Sequence, residues 1–219
     1  MVDVLVSVFV WYRFGSPQVD TPVGQYMLLP WRPEVHQFFT YQFLHADWEH
    51  LLFNMVFLYV FGNALEDRFG PIGYLAFYLA GGVFAAVGYA LTQDSPILGA
   101  SGSIAAVTGA FLALFPATRV HLLFWFFLIT TFEVPAIILI LFSVGQDLFF
   151  QALSASGHPV GNVAYIAHLS GNLFGFVVGM VLLLTRTLPR EPYDFVALID
   201  RFNRRRQMRS ATRRGGSPW

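Results

Sequence analysis

Cysteine and lysine are both absent from the 219-residue chain, and only 12% of its residues are charged. Without cysteine there is no disulfide framework, thiolate metal site or cysteine nucleophile. Scarce charge excludes a soluble domain with a solvated surface. What remains is 56% hydrophobic and 17% aromatic, the composition of a polytopic membrane protein. The formal net charge of zero hides an asymmetry. All basic residues are arginine, and those between Arg186 and Arg214 dominate the count. Such clustering orients a membrane chain.

At about 20 apolar residues per helical crossing, the runs predict an all-α polytopic bundle of six transmembrane helices. The first run, Val2 to Phe14, contains Asp3 and Arg13 and is short for a hydrocarbon core of about 30 Å. It reads as a truncated helix or as a thin one supported by its neighbours. A cleaved signal peptide fits it poorly, because no basic region precedes it and no small-residue site follows. Gly15 to Ala46, with four prolines and many aromatics, reads as a long interfacial loop with short helices. Asp47 is placed to cap a second helix running to about Leu65, and Glu66 to Pro71 ends it. A third run covers Pro71 to Leu91, and the fourth runs from Gly99 to Phe115. The fifth extends from after Arg119 to Gln146, with an interfacial piece before Pro135. Asp147 to Asn162 reads as a loop, and Val163 to Leu184 as the last crossing. Two units result: a membrane domain over 1–185 and a basic tail over 186–219, polar enough to be mobile.

With six crossings and the tail in the cytoplasm, Arg68, Arg119 and the tail arginines fall inside. Only Arg13 and Arg32 fall outside. The positive-inside rule then puts both termini in the cytoplasm. The long first loop, Thr92 to Leu98 and Asp147 to Asn162 face outward.

Polar groups within the apolar runs are few. Ser101, in Gly99-Ala100-Ser101-Gly102, stands at a helix N-terminus and is a candidate nucleophile; imidazole is its best partner. His168, Gly171, Gly175 and Gly179 share one face of the last helix, while Ser101, Ala105, Thr108 and Gly109 give the fourth helix a small-residue face. Packing those faces together brings Ser101 and His168 to the same depth. His50 and Asn54, four apart, form a further face able to donate to an oxyanion, alongside backbone N–H groups of the fourth helix's first turn. No acidic third member is evident. His45 reads as a structural residue of the first loop, and its spacing from His50 suits a metal poorly; no metal site is expected. His36, His121 and His158 read as surface groups, Glu133 as interfacial, and Glu66 and Arg68 as pins for helix ends.

These motifs resemble those of the rhomboid family of intramembrane serine proteases. The G-x-S-G signature matches Gly99, Ser101 and Gly102; A-H-x-x-G-x-x-x-G matches Ala167, His168, Gly171 and Gly175; H-x-x-x-x-H-x-x-x-N matches His45, His50 and Asn54. The resemblance spans His36 to Leu184 and implies a six-helix rhomboid-like bundle. It implies peptide-bond hydrolysis in or near transmembrane segments of membrane proteins, within the lipid bilayer and without a cofactor. Ser101 would be the nucleophile and His168 the base. His50, Asn54 and the N–H groups of Ala100 and Ser101 would hold the oxyanion. By the same analogy, 147–162 would cap the site and the fifth helix would flank the access route. Two positions depart from the pattern: His36-Gln37 stand where the family often has Trp-Arg, and Ala105 where many members place an aromatic against the histidine. An alternative reading is a non-proteolytic rhomboid-like protein that binds transmembrane clients. A transporter is disfavoured, since no repeat and no midplane ionisable group is visible. The arginine tail suits anionic lipid rather than nucleic acid. The lack of an added domain suggests a prokaryotic cell membrane.

Overall fold

The computed structural model describes residues 1–125, 129–158 and 163–214. The chain is mostly helical: α1 (Val2–Phe14), the single-turn α2 (Gln37–Thr40), α3 (Trp48–Ala90), α4 (Ser101–Leu114), α5 (Ala136–Ala155), α6 (Tyr165–Leu184) and α7 (Phe195–Arg214). Among the described residues, α3, α5 and α6 are long and apolar enough to cross a membrane. The apolar α4 is shorter, with 14 residues.

The 43 residues of α3 would make a rod about 65 Å long, twice a hydrocarbon core. Gly70 breaks the rod. Its φ of 71° and ψ of 161° are non-helical, and Pro71 follows it. Only glycine takes that φ without steric cost. Tyr74 Oη lies against Gly62, although twelve positions along an unbroken helix separate Cα atoms by about 18 Å. The two arms therefore fold back on each other. The break expected at Glu66 to Pro71 is present, but the first arm continues past Leu65 to Phe69.

The all-α expectation needs correction at one place. Residues read as an interfacial piece of the fifth segment form an antiparallel hairpin, β1 (Arg119–Trp125) with β2 (Ile129–Pro135). Val, Ile, Thr and aromatic residues fill both strands, and these side chains favour a pleated surface. Arg119 and His121 meet Glu133 across it, at 3.0 and 3.8 Å.

A second correction concerns α5, which begins after Pro135 as expected but continues past Gln146 to Ala155. Residues 147–155 are thus helix, not loop; residues 159–162 of the expected loop lie outside the described residues. A carboxylate at position 147 is compatible with a buried helical site only because it finds a partner, described below.

α4 is the centre of the molecule, with twelve of its positions buried. Phe61, Leu65, Phe77 and Tyr78 of α3 pack on it, as do Ile140 of α5 and Leu183 of α6. Around it the long first loop is stitched down. Leu28 and Ile97 exchange backbone hydrogen bonds at 3.0 Å, and the Gly99 N–H donates to the Tyr41 carbonyl at 2.9 Å. The buried Gln37 accepts from the N–H groups of Leu29 and Glu34 and donates to the Gln25 carbonyl. α1 docks on this loop through Val10, which packs with Val23, Met27 and Leu44. The tail contains α7, anchored by Phe195 edge-on to Phe176 of α6 at 5.3 Å.

Candidate active site

The geometry begins with the seam between α4 and α6. In a bilayer, apolar helices gain little from leaving lipid, so association depends on close van der Waals contact. Glycine makes that contact possible here. Gly171 faces the Gly102 carbonyl, Gly175 faces the Ala106 carbonyl, and Gly109 of α4 faces the Asn172 carbonyl of α6. Each glycine turns a Cα–H toward a carbonyl oxygen, a contact worth about 0.5–1 kcal/mol. One turn below His168, Thr108 Oγ1 donates to Asn172 Oδ1 at 3.0 Å, and Asn172 Nδ2 donates to the His168 carbonyl at 3.1 Å.

This seam starts at the first turns of both helices. Ser101 immediately precedes Gly102, and His168 lies one turn before Gly171, so the two expected reacting residues lie at the same end of the seam. Both are partly buried. Among the described residues no hydrogen bond joins Ser101 Oγ to His168. Catalytic contacts commonly tighten only when substrate is bound.

α3 supplies the second wall. Asp47 Oδ1 accepts from the His50 N–H at 2.8 Å and caps the helix. The His50 ring lies over Gly99, which has φ +125°. A methyl group there would fall 2.7 Å from His50 Cε1, so both the backbone angle and the ring demand glycine. One turn along, Asn54 is 6% exposed, and its Nδ2 is a buried donor without a partner among the described residues. Buried donors are almost always paired. Such a donor one turn along α3 from His50 is free to meet an acceptor.

His45 is fully buried. It stacks edge-on to His50, with ring centroids 5.1 Å apart. Its Nδ1 lies 2.9 Å from Ser7 Oγ, and its Nε2 accepts the Ala100 N–H at 3.5 Å. Acceptance at Nε2 places the proton on Nδ1, so Ser7 receives it and passes its own to the Phe43 carbonyl at 3.4 Å. Burial pushes the His45 imidazole down to about 4, aided by the nearby His50 and opposed by Asp47. The Ala100 N–H, expected to face an oxyanion, is thus turned to His45.

Sequence reasoning missed Asp147. It is 7% exposed on the inner face of α5, with Oδ1 3.3 Å from His168 Nδ1. The signal was available. Leu148, Phe149 and Phe150 prolong the apolar run beyond the charge, which makes Asp147 a helical residue and not a boundary. Ser7, the polar residue at the middle of α1, was missed likewise. Among the described residues no cluster of His, Asp and Glu is arranged to hold a metal ion. Ala105 is buried against Gly171 and presents no ring to His168.

Comparison with known proteins gives the family. The family model described as Rhomboid domain matches residues 32–185. Rhomboid-like protein 11, chloroplastic, of Arabidopsis thaliana is 31% identical over 157 residues, covering 67% of this chain and 52% of its own length. RHOMBOID-like protein 12, mitochondrial, of the same plant is 31% identical over 156 residues, covering 63% of this chain and 43% of its own. Rhomboid protease GluP of Bacillus subtilis is 28% identical over 139 residues, 64% of this chain and 24% of that protein. The chain spans about half the length of these relatives or less.

Proposed function

This chain is a member of the rhomboid family, and from that premise we propose that it is an intramembrane serine endopeptidase with a Ser101–His168 dyad. Its substrates are transmembrane segments of other membrane proteins, cut in or near the bilayer. The observation that carries the reading is the glycine seam, which sets the first turns of α4 and α6 side by side. It also explains why the small residues lie where they do.

In this mechanism Ser101 Oγ attacks the scissile carbonyl while its proton passes to His168 Nε2. Negative charge then develops on the carbonyl oxygen. The unpartnered Asn54 Nδ2, the His50 ring N–H and the Ser101 N–H are the donors for it; the Ala100 N–H stays with His45. The imidazolium next returns its proton to the leaving amine, the C–N bond breaks, and water hydrolyses the acyl-serine by the same route. Each oxyanion donor in such a site contributes about 3–4 kcal/mol.

The membrane arrangement belongs to the same proposal. Six crossings are formed by α1, the two arms of α3, α4, α5 and α6, with 1–185 as the membrane domain and 186–219 as the tail. Both termini are cytoplasmic. Arg68 at the end of the first α3 arm donates to Glu191 at 2.8 Å, so that turn and the start of the tail share a side, which supports the count.

The test is labelling of the purified protein with a fluorophosphonate probe, combined with cleavage of a transmembrane reporter. Wild type is expected to label and to cut, and Ser101→Ala and His168→Ala to do neither. Cleavage retained by Ser101→Ala would sink the assignment.

A further inference from the structure

The inner face of α5 carries one group that the dyad does not use. Ala136, Ile140 and Asp147 are its buried positions, four and then seven residues apart and so on one helical face. Leu148 and Phe149 beside them are exposed in the apolar manner of a lipid-facing surface. A carboxylate buried among apolar helices costs several kcal/mol unless a partner offsets it. For Asp147 that partner is His168, at 3.3 Å from Nδ1.

We infer that Asp147 is a positioning residue for His168, completing a Ser101–His168–Asp147 arrangement across α4, α6 and α5. This rests on the protease reading above. An acceptor at Nδ1 holds the imidazole proton there and leaves the Nε2 lone pair free for the serine. The same carboxylate stabilises the imidazolium that forms during attack. Position 105, one turn after Ser101, supplies only a methyl group against Gly171, so the ring is oriented from α5 and not from α4. The other titratable groups near this pair are His50 of α3, close enough to His168 for their charges to repel, and Tyr165, close to Asp147.

Two measurements on the full chain test this. In the first, nitrogen-15 histidine NMR of the Ser101→Ala protein reads the tautomer of His168 without any need for activity. The Nδ1–H form is expected, and adding Asp147→Asn should move it toward the Nε2–H form. In the second, the kinetics of reporter cleavage are measured. Asp147→Asn should lower kcat by on the order of 100-fold with KM within about twofold, and Asp147→Glu should recover most of it. A tautomer indifferent to Asp147, or a kcat that Asp147→Asn leaves unchanged, would overturn the inference. Failure of the protease reading shows separately, as cleavage surviving Ser101→Ala while the tautomer result stands.

Discussion

His45 shows how a residue outside the candidate dyad supports the loop beside it. It sits under the loop that carries Gly99 and Ala100, and its Nε2 must be unprotonated to accept the Ala100 N–H. Its pKa of about 4 in the folded protein lies below the ordinary 6.5. As pH falls, the unfolded chain therefore takes up the proton first. Stability present above 6.5 is lost as pH falls toward 4, by at most on the order of 3 kcal/mol. The thermal midpoint in detergent is expected to fall over that window in wild type, and to fall less in His45→Gln. Equal slopes would show that His45 is not the group being titrated. Ser101, His168, His50 and Asn54 could be picked out as candidates because each stands in a short sequence motif. Asp147 and Ser7 were not, because their partners lie 21 and 38 positions away, and a charge near the end of an apolar run looks like a boundary.

At the level of elements, the α4–α6 seam is a tightly constrained contact. A methyl group at Gly175 would overlap the Ala106 backbone carbonyl, which has no freedom to rotate away. Gly175→Ala should cost about 1–3 kcal/mol or more and slow probe labelling of Ser101 by forcing the helices apart. Gly145→Ala on α5, where nothing lies within 4 Å, should leave the thermal midpoint unchanged or slightly raised. Equal effects from the two would mean that the seam is loose. Helix periodicity and the punctuation of Gly70-Pro71 and Pro135 made most elements readable. The hairpin was not, because the apolar run from Leu122 to Ile129 lacks the alternation that separates strand from helix. The end of α5 was misplaced for the reason Asp147 was missed.

For the whole molecule, the join between the bundle and its tail is a small polar device. Asp194 is fully buried. It accepts from the N–H groups of Glu191 and Ala197 at 3.0 and 2.7 Å and from Arg190 at 2.8 Å, while Arg68 reaches Glu191 from the α3 turn. Asp194→Ala removes the cap of α7 and should cost about 1–2 kcal/mol locally. Limited trypsin digestion is then expected to cut after Arg190 about tenfold faster than in wild type; unchanged protection would show that the Asp194 cap does not hold the tail. The clustering of arginine was visible in the sequence, but its tether was not, since Arg68 and Glu191 are 123 positions apart. The bundle is also unevenly embedded. Only 17% of the apolar window of α5 is buried within the protein, against 28% for α6. The proposed nucleophile and base thus ride on a closely packed pair of helices, while the carboxylate inferred to position the base rides on the least buried of the three long apolar helices. On the proposed mechanism, a shift of α5 by about an ångström would detune His168 and leave Ser101 where it is, so that the rate would follow the position of one helix, as a dimmer follows its dial.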